Sequence, residues 1–215
     1  MNNIKIKEIE TERLILKIPT MNEQKQLWNI LKDEDINRYY FPTPDRIFNK
    51  HNLSKSNIND LIEARKIFQE QLNDWDRQKT FYEKKITNIQ NEENSQKFTW
   101  SIFLKDGTII GQMTVQPHEL YPNNPEIRDV GWFIATEHQN KGYATEMARA
   151  ILDFMFNEVE IEKIITSAAT INKGSWKLME KLGFKYLENK YSTYLDENNM
   201  ITECRYYYIT KKDLK

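Results

Sequence analysis

Apolar and polar positions change period several times along the chain, and each change marks an expected element. Thr11-Glu12-Arg13-Leu14-Ile15-Leu16-Lys17-Ile18-Pro19 carries β-favouring side chains and stops at a proline, which predicts an opening strand over residues 11–19. After Thr20, a fitting N-cap, Leu27, Trp28, Ile30 and Leu31 recur at helical spacing and predict an amphipathic helix over 22–32. Pro42 and Pro44 forbid regular structure in Tyr39-Tyr40-Phe41-Pro42-Thr43-Pro44, whose aromatic cluster suits either packing against the core or a substrate-facing wall. A second amphipathic helix is expected over 58–75, where Leu61, Ile62, Ala64, Ile67, Phe68, Leu72 and Trp75 share the helical period. Residues 78–96 are rich in Lys, Asn, Glu and Gln, with apolar positions too sparse for a regular element. They read as a mobile or weakly helical insertion.

The pattern then turns to β. Residues 98–104 and 108–115 flank Lys105-Asp106-Gly107, the signature of a hairpin. Pro117, Pro122, Asn123 and Asn124 mark a loop over 116–125. A strand over 127–134 precedes a long helix whose apolar positions Ala144, Met147, Ala148, Ile151, Leu152, Met155 and Phe156 lie on one face. A strand over 161–168 and a short helix over 175–182 follow, the latter closed by Gly183 as a left-handed cap. The last strands are expected over 184–190 and 203–211. This order predicts a mixed α/β (α+β) sheet with helices over its faces.

Composition narrows the function classes. Acidic residues number 32 against 31 basic ones, which gives no support for nucleic-acid or membrane-surface binding. No apolar run reaches the ~18 residues of a membrane span, and the N-terminus lacks a signal-peptide pattern, so a soluble, cytoplasmic protein is expected. At 215 residues without a Pro/Gly/Ser-rich linker, residues 1–215 read as a single domain. Cys204, the one cysteine, excludes an intrachain disulfide and reads as a small buried strand residue. His51, His118 and His138 have no metal-ligand spacing, so no metal is expected. Tyr206-Tyr207-Tyr208 alternates faces, which puts at least one ring in the core.

Candidate chemistry gathers where Asp129-Val130-Gly131-Trp132-Phe133-Ile134 runs through Gln139-Asn140-Lys141-Gly142-Tyr143-Ala144-Thr145 into the long helix. Unpaired N–H groups and the positive dipole end at a helix start favour an anion such as pyrophosphate. Gly142 lets phosphates approach the main chain, and Lys141 adds positive charge. Neither a Walker loop nor a three-glycine Rossmann fingerprint is present. The segment resembles the GNAT acetyltransferase superfamily, whose coenzyme A loop reads Arg/Gln-x-x-Gly-x-Gly/Ala between a strand and a long helix. Asn172, Ser175 and Glu180-Lys181-Leu182-Gly183-Phe184 are similar to its later motif, and Thr11-Glu12-Arg13-Leu14-Ile15-Leu16 is similar to the start of the RimJ/RimL-type branch of ribosomal-protein N-terminal acetyltransferases.

The resemblance implies a central, mostly antiparallel sheet flanked by helices, acetyl-CoA as co-substrate, and direct acetyl transfer to a primary amine in a ternary complex. Trp132, Phe133 and Ile134 would bind the pantetheine arm through the main chain, and a backbone N–H there would polarise the thioester carbonyl. Gln139, Asn140, Lys141, Gly142, Tyr143, Ala144 and Thr145 would hold the pyrophosphate. Asn172 and Ser175 would lie near the pantetheine and sulfur. Met179 stands where many relatives place a tyrosine general acid, which leaves Ser175 to hydrogen-bond the departing thiolate; a helix-capping hydroxyl is its other reading. An alkylammonium with a pKa near about 10 must lose a proton before attack. Asp129, sharing a strand face with Gly131 and Phe133, is the preferred base over Glu126, against the alternative of a solvated or salt-bridged acid beside Arg128. His118 reads either as lining an acceptor pocket or as an ordinary exposed histidine. Acceptors implied are a peptide N-terminus or a small-molecule amine, with a monomer or homodimer as the assembly. The rival readings are a non-catalytic acyl-CoA-binding module and an anion-binding regulator unrelated to coenzyme A.

Overall fold

The computed structural model describes residues 6–37, 39, 45–76, 79, 80, 82, 83, 86, 97–195 and 200–215. At its front the expected single strand is a hairpin instead: β1 (Ile9–Glu10) turns back and pairs with β2 (Leu14–Lys17), Ile9 opposite Leu16. Thr11 causes the break, because its hydroxyl oxygen accepts the Leu14 N–H at 3.0 Å and offers the backbone a turn in place of a ladder. Thr20 caps α1 (Met21–Leu31) as expected, with the Glu23 carboxylate accepting the Thr20 N–H in return at 2.6 Å.

Two short helices had no counterpart in the hydrophobic pattern, α2 (Glu34–Asn37) and α3 (Asp45–His51). Neither is long enough to display a period. Ile47 and Phe48 of α3 bury themselves against Leu61 and Ala64 of α4 (Ile58–Leu72), which Asn57 caps through its side-chain oxygen. Helix α4 stops short of the expected residue 75, and Trp75 beyond it stacks on Tyr82 at 5.6 Å between centroids. The readings for residues 40–44 and for most of 78–96 lie outside the described residues.

β3 (Phe98–Leu104) and β4 (Ile109–Pro117) form the expected hairpin, closed by a Gly107 N–H to Leu104 carbonyl bond of 3.0 Å. There follow β5 (Ile127–Ile134), α5 (Tyr143–Asn157), β6 (Lys163–Ala169), α6 (Lys173–Leu182), β7 (Lys185–Leu195) and β8 (Ile201–Thr210). One eight-stranded sheet results, in the order β1-β2-β3-β4-β5-β6-β8-β7, antiparallel at every junction except β5 with β6. This is the mixed, mostly antiparallel α/β architecture expected.

The apolar stripe of α5, with Met147, Ile151, Leu152 and Met155 fully buried, covers one face of the sheet against Leu14, Trp100, Val130 and Ile164. Each such side chain contributes roughly 1.5–3 kcal/mol on burial. Helix α1 covers the other face, packing Leu27 and Trp28 on Phe103, Ile109 and Phe133. Cys204 and Tyr207 are buried in β8, as read from the sequence. Gly183 ends α6 at φ 101°, where a Cβ would lie 2.0 Å from the Asp213 carbonyl oxygen, so only glycine fits. Among the described residues no helix is long and apolar enough to cross a membrane.

Candidate active site

β5 and β6 start as a parallel pair, Ile127 beside Lys163 and Arg128 beside Ile164, and their ladder then stops. Thr166 donates its hydroxyl across to the Val130 carbonyl at 2.8 Å. On its other side β5 stays paired with β4 along its length. The Val130 carbonyl faces Thr166, and the Ile134 carbonyl accepts Gln139 Nε2–H at 3.0 Å, so both turn away from β4. By the two-residue alternation of an antiparallel ladder, the Trp132 N–H and carbonyl turn the same way, into the gap. Phe133 does the reverse: its main chain faces Gln112 of β4 and its ring joins the Leu27–Trp28 cluster.

At the mouth of this gap the chain takes two left-handed residues, Asn140 at φ 59° and Gly142 at φ 85°. They swing the chain so that α5 begins at Tyr143, with Gly142, Tyr143, Ala144 and Thr145 on the cavity wall. The amides of that first turn have no intrahelical partner.

A latch unseen in the sequence holds this corner. Arg13 donates from Nε to Glu146 at 2.7 Å and from Nη1 to the Lys141 carbonyl at 3.0 Å, and its guanidinium sits 4.7 Å from the Tyr143 ring centre. Glu146 also accepts from the Thr11 hydroxyl at 2.6 Å and the Arg13 N–H at 2.8 Å. A Cβ on Gly142 would meet Arg13 Nη2 at 3.2 Å. The glycine therefore answers both its positive φ and the arginine packed against it. Thr11-Glu12-Arg13 was visible as a motif, but nothing in the sequence joined it to Glu146, 133 positions beyond Arg13.

Asp129 lies partly buried on the gap-facing part of β5, beside Gly131, with its Oδ1 accepting the Val130 N–H at 2.8 Å. Burial pushes its carboxyl up to about 6, against hydrogen bonds from Thr166, Val130 and Gln116 that favour the charged form. Arg128, the neighbouring residue on β5, is itself buried, and its Nε and one terminal guanidinium nitrogen have no hydrogen-bond partner among the described residues. His118 is not the ordinary exposed histidine: it is 6% exposed, lines the cavity, and accepts the Leu120 N–H on Nδ1 at 3.1 Å. Burial lowers its pKa.

Asn172 caps α6 by accepting the Ser175 N–H at 3.2 Å on its side-chain oxygen. The Ser175 amide, not its hydroxyl, thus enters the cap. Asn172, Ser175 and Met179 all line the cavity, and Met179 is 1% exposed. Tyr206 of β8, overlooked in the sequence as a wall residue, lines it too, its phenol pKa raised by burial.

The cavity has a volume of about 1960 Å³ and runs from Asp35 and His118 through the strand gap to the start of α5. Drug-sized ligand sites occupy roughly 300–1,000 Å³, so this one has room for two reactants. Of the site residues read from the sequence, Asp129, Trp132, Phe133, Ile134, Gln139, Asn140, Gly142, Tyr143, Ala144, Thr145, Asn172 and Ser175 lie on its wall, whereas Lys141 does not.

The sheet opens between two parallel strands, and a left-handed helix start stands at the opening. The Acetyltransferase (GNAT) domain family matches residues 13–185, and the chain belongs to that family. Among curated Bacillus subtilis proteins it is 31% identical over 100 residues to the uncharacterized protein YkkB and 30% identical over 103 residues to the uncharacterized N-acetyltransferase YnaD. These matches cover 45% and 47% of this chain and 57% of each relative, so the chain spans little more than half their length. The fold is shared with spermidine N-acetyltransferase from Vibrio cholerae in complex with CoA and spermine, at TM-score 0.68 and 18% identity over 94% of this chain and 98% of that one. It is shared as well with ribosomal-protein-S5-alanine acetyltransferase from Vibrio fischeri, at TM-score 0.61 and 16% identity over 98% and 100%.

Proposed function

We propose that this protein transfers an acetyl group from acetyl-CoA to a primary amine. The parting of β5 from β6 beside the left-handed Gly142 carries this reading, because it exposes the Trp132 amide and carbonyl next to an anion-binding helix start. The pantetheine arm lies in the gap on Trp132, and the diphosphate on the first-turn amides of α5. Asp129 takes the proton from the acceptor ammonium, the free amine attacks the thioester carbonyl, and a β5 amide stabilises the oxyanion. Collapse of the tetrahedral intermediate breaks the C–S bond, the nitrogen sheds its second proton to give the amide, and the departing thiolate, hydrogen-bonded by the Ser175 hydroxyl, takes up a proton to leave as free thiol. Membership of the RimJ/RimL-like branch is supported by Thr11-Glu12-Arg13-Leu14, which forms the latch described above. The acceptor class, a peptide N-terminus or a small amine, is supported by the activities of the ribosomal-protein and spermidine acetyltransferases that share the fold.

Saturation with acetyl-CoA at about 100 times its Kd is expected to stabilise the fold by about 2.7 kcal/mol, read as a thermal shift. Free thiol should then appear with at least one member of an amine panel. Gly142→Glu should abolish both responses, and unaltered coenzyme affinity in that variant would sink the reading. Buried Met179 in the tyrosine position favours one rival, a non-catalytic acyl-CoA-binding module; its signature is the thermal shift without thiol release on any amine.

A further inference from the structure

Several large apolar side chains that the fold leaves exposed line the cavity: Leu120, Tyr121, Ile171 and Leu187. Ile171 stands next to Asn172, at the coenzyme end. The other three, Leu120 at 67%, Tyr121 at 44% and Leu187 at 48% exposure, make an apolar collar at the acceptor end. Leu120 and Tyr121 follow Glu119, whose charge reaches Asp129, and Tyr121 lies within electrostatic reach of Lys190 on β7. Leu187 is brought in by a β-bulge: Tyr186 pairs with Tyr207 and Glu188 with Tyr206, which leaves Leu187 as the extra residue. Consecutive residues of a regular strand face opposite ways, yet Leu187 and Glu188 both line the cavity.

Distance decides what the collar can hold. From Asp129 on β5 the sheet runs through β6 and β8 to β7, three strand spacings or roughly 14 Å. Ser167 and Tyr206, paired across β6 and β8, wall the path between. A compact monoamine with its ammonium at Asp129 stops short of Leu187, whereas about four residues of extended peptide, at roughly 3.3 Å each, cover the span. A polyamine is long enough, but the two acids beside the collar are already paired, Glu119 with Lys55 at 3.9 Å and Glu188 with Lys190 at 2.6 Å. Resting on the acetyl-transfer reading, we propose that the acceptor is the N-terminus of an extended polypeptide, with its α-ammonium at Asp129 and an apolar side chain of its third or fourth residue seated on Leu120, Tyr121 and Leu187. An exposed apolar patch rimmed by paired charges is a surface that a partner chain covers, and covering it takes apolar area out of water.

Thiol release from acetyl-CoA by the full chain tests this with four acceptors: two hexapeptides alike except at their third and fourth residues, leucine and phenylalanine in one and serine in the other, together with spermidine and phenethylamine. The apolar peptide should show about tenfold higher kcat/KM than the serine peptide, with the difference in KM, and should exceed both amines. The double variant Leu120→Ser, Leu187→Ser should bring the two peptides within about twofold of each other while the serine peptide keeps its rate; Leu120→Met, Leu187→Met should retain the preference. Both leucines are exposed, so unfolding is not expected, and a thermal melt of each variant checks it. Equal use of the two peptides, a preference that survives the serine variant, or higher kcat/KM for spermidine or phenethylamine overturns the collar. Thiol release by other amines with silence towards both peptides overturns this inference alone. Silence towards these four and the wider amine panel alike overturns the acetyl-transfer reading on which it rests.

Discussion

Burial holds the Asp129 carboxyl at about 6, so the charged form that a general base needs is the form the folded chain tolerates less well. Because the folded pKa lies above the usual Asp value near ~3.9, the native state binds this proton more tightly than the unfolded one. Stability from this group is then greatest below about pH 4, declines as pH rises towards about 6, and levels off above. Asp129→Asn should accordingly gain on the order of 2 kcal/mol in urea denaturation at pH 7.5 and nothing at pH 4. The same variant should lose most of its kcat/KM, while wild type shows an acidic limb centred near pH 6. A variant that is more stable at neutral pH yet fully active would remove Asp129 from the proposed chemistry. Lys97 and Glu119 act on this carboxyl electrostatically with opposite signs, and Lys97 directly precedes the first residue of β3. Alternation along β5 was enough to place Asp129 on the side of Phe133; its partners Gln116 and Thr166, supplied by the neighbouring strands, were not legible.

Helix α5 serves two purposes, since one face supports the sheet and one end supports the proposed diphosphate site. Ile151→Ala, at the centre of its buried stripe, should cost about 2–5 kcal/mol in chemical denaturation with coenzyme affinity per folded molecule kept. Gly142→Ala acts at the other extreme: a non-glycine residue at φ 85° costs roughly 1–3 kcal/mol, and its Cβ also presses on Arg13. That variant should weaken acetyl-CoA binding more than it lowers the melting temperature, with Arg13→Ala relieving part of the defect. Elements with a full period or a sharp turn signal were readable, as α1, α4, α5 and the Asp106–Gly107 hairpin show. Those set by a single side-chain bond or too short to repeat were not. Thr11 splits the first strand through one hydroxyl, and α2 and α3 together span 11 residues in two pieces.

Across the whole molecule, the order of strands could not be read from periodicity, because a strand's alternation records which face is buried and not which neighbour it takes. Resemblance supplied the sheet; the structure supplied the fact that β5 and β6 share only two paired positions before separating. Five strands thus lie on one side of that seam and three on the other, joined in the sheet by little more than those two pairs and the Thr166–Val130 bond. A pantetheine arm hydrogen-bonded along Trp132 would act as a ninth, borrowed strand, splinting two leaves that the polypeptide alone barely stitches. Hydrogen exchange should then slow on both sides of the seam, at Trp132 and along Thr166–Ala168 together, when acetyl-CoA is added, while amides of the β3–β4 hairpin keep their rates.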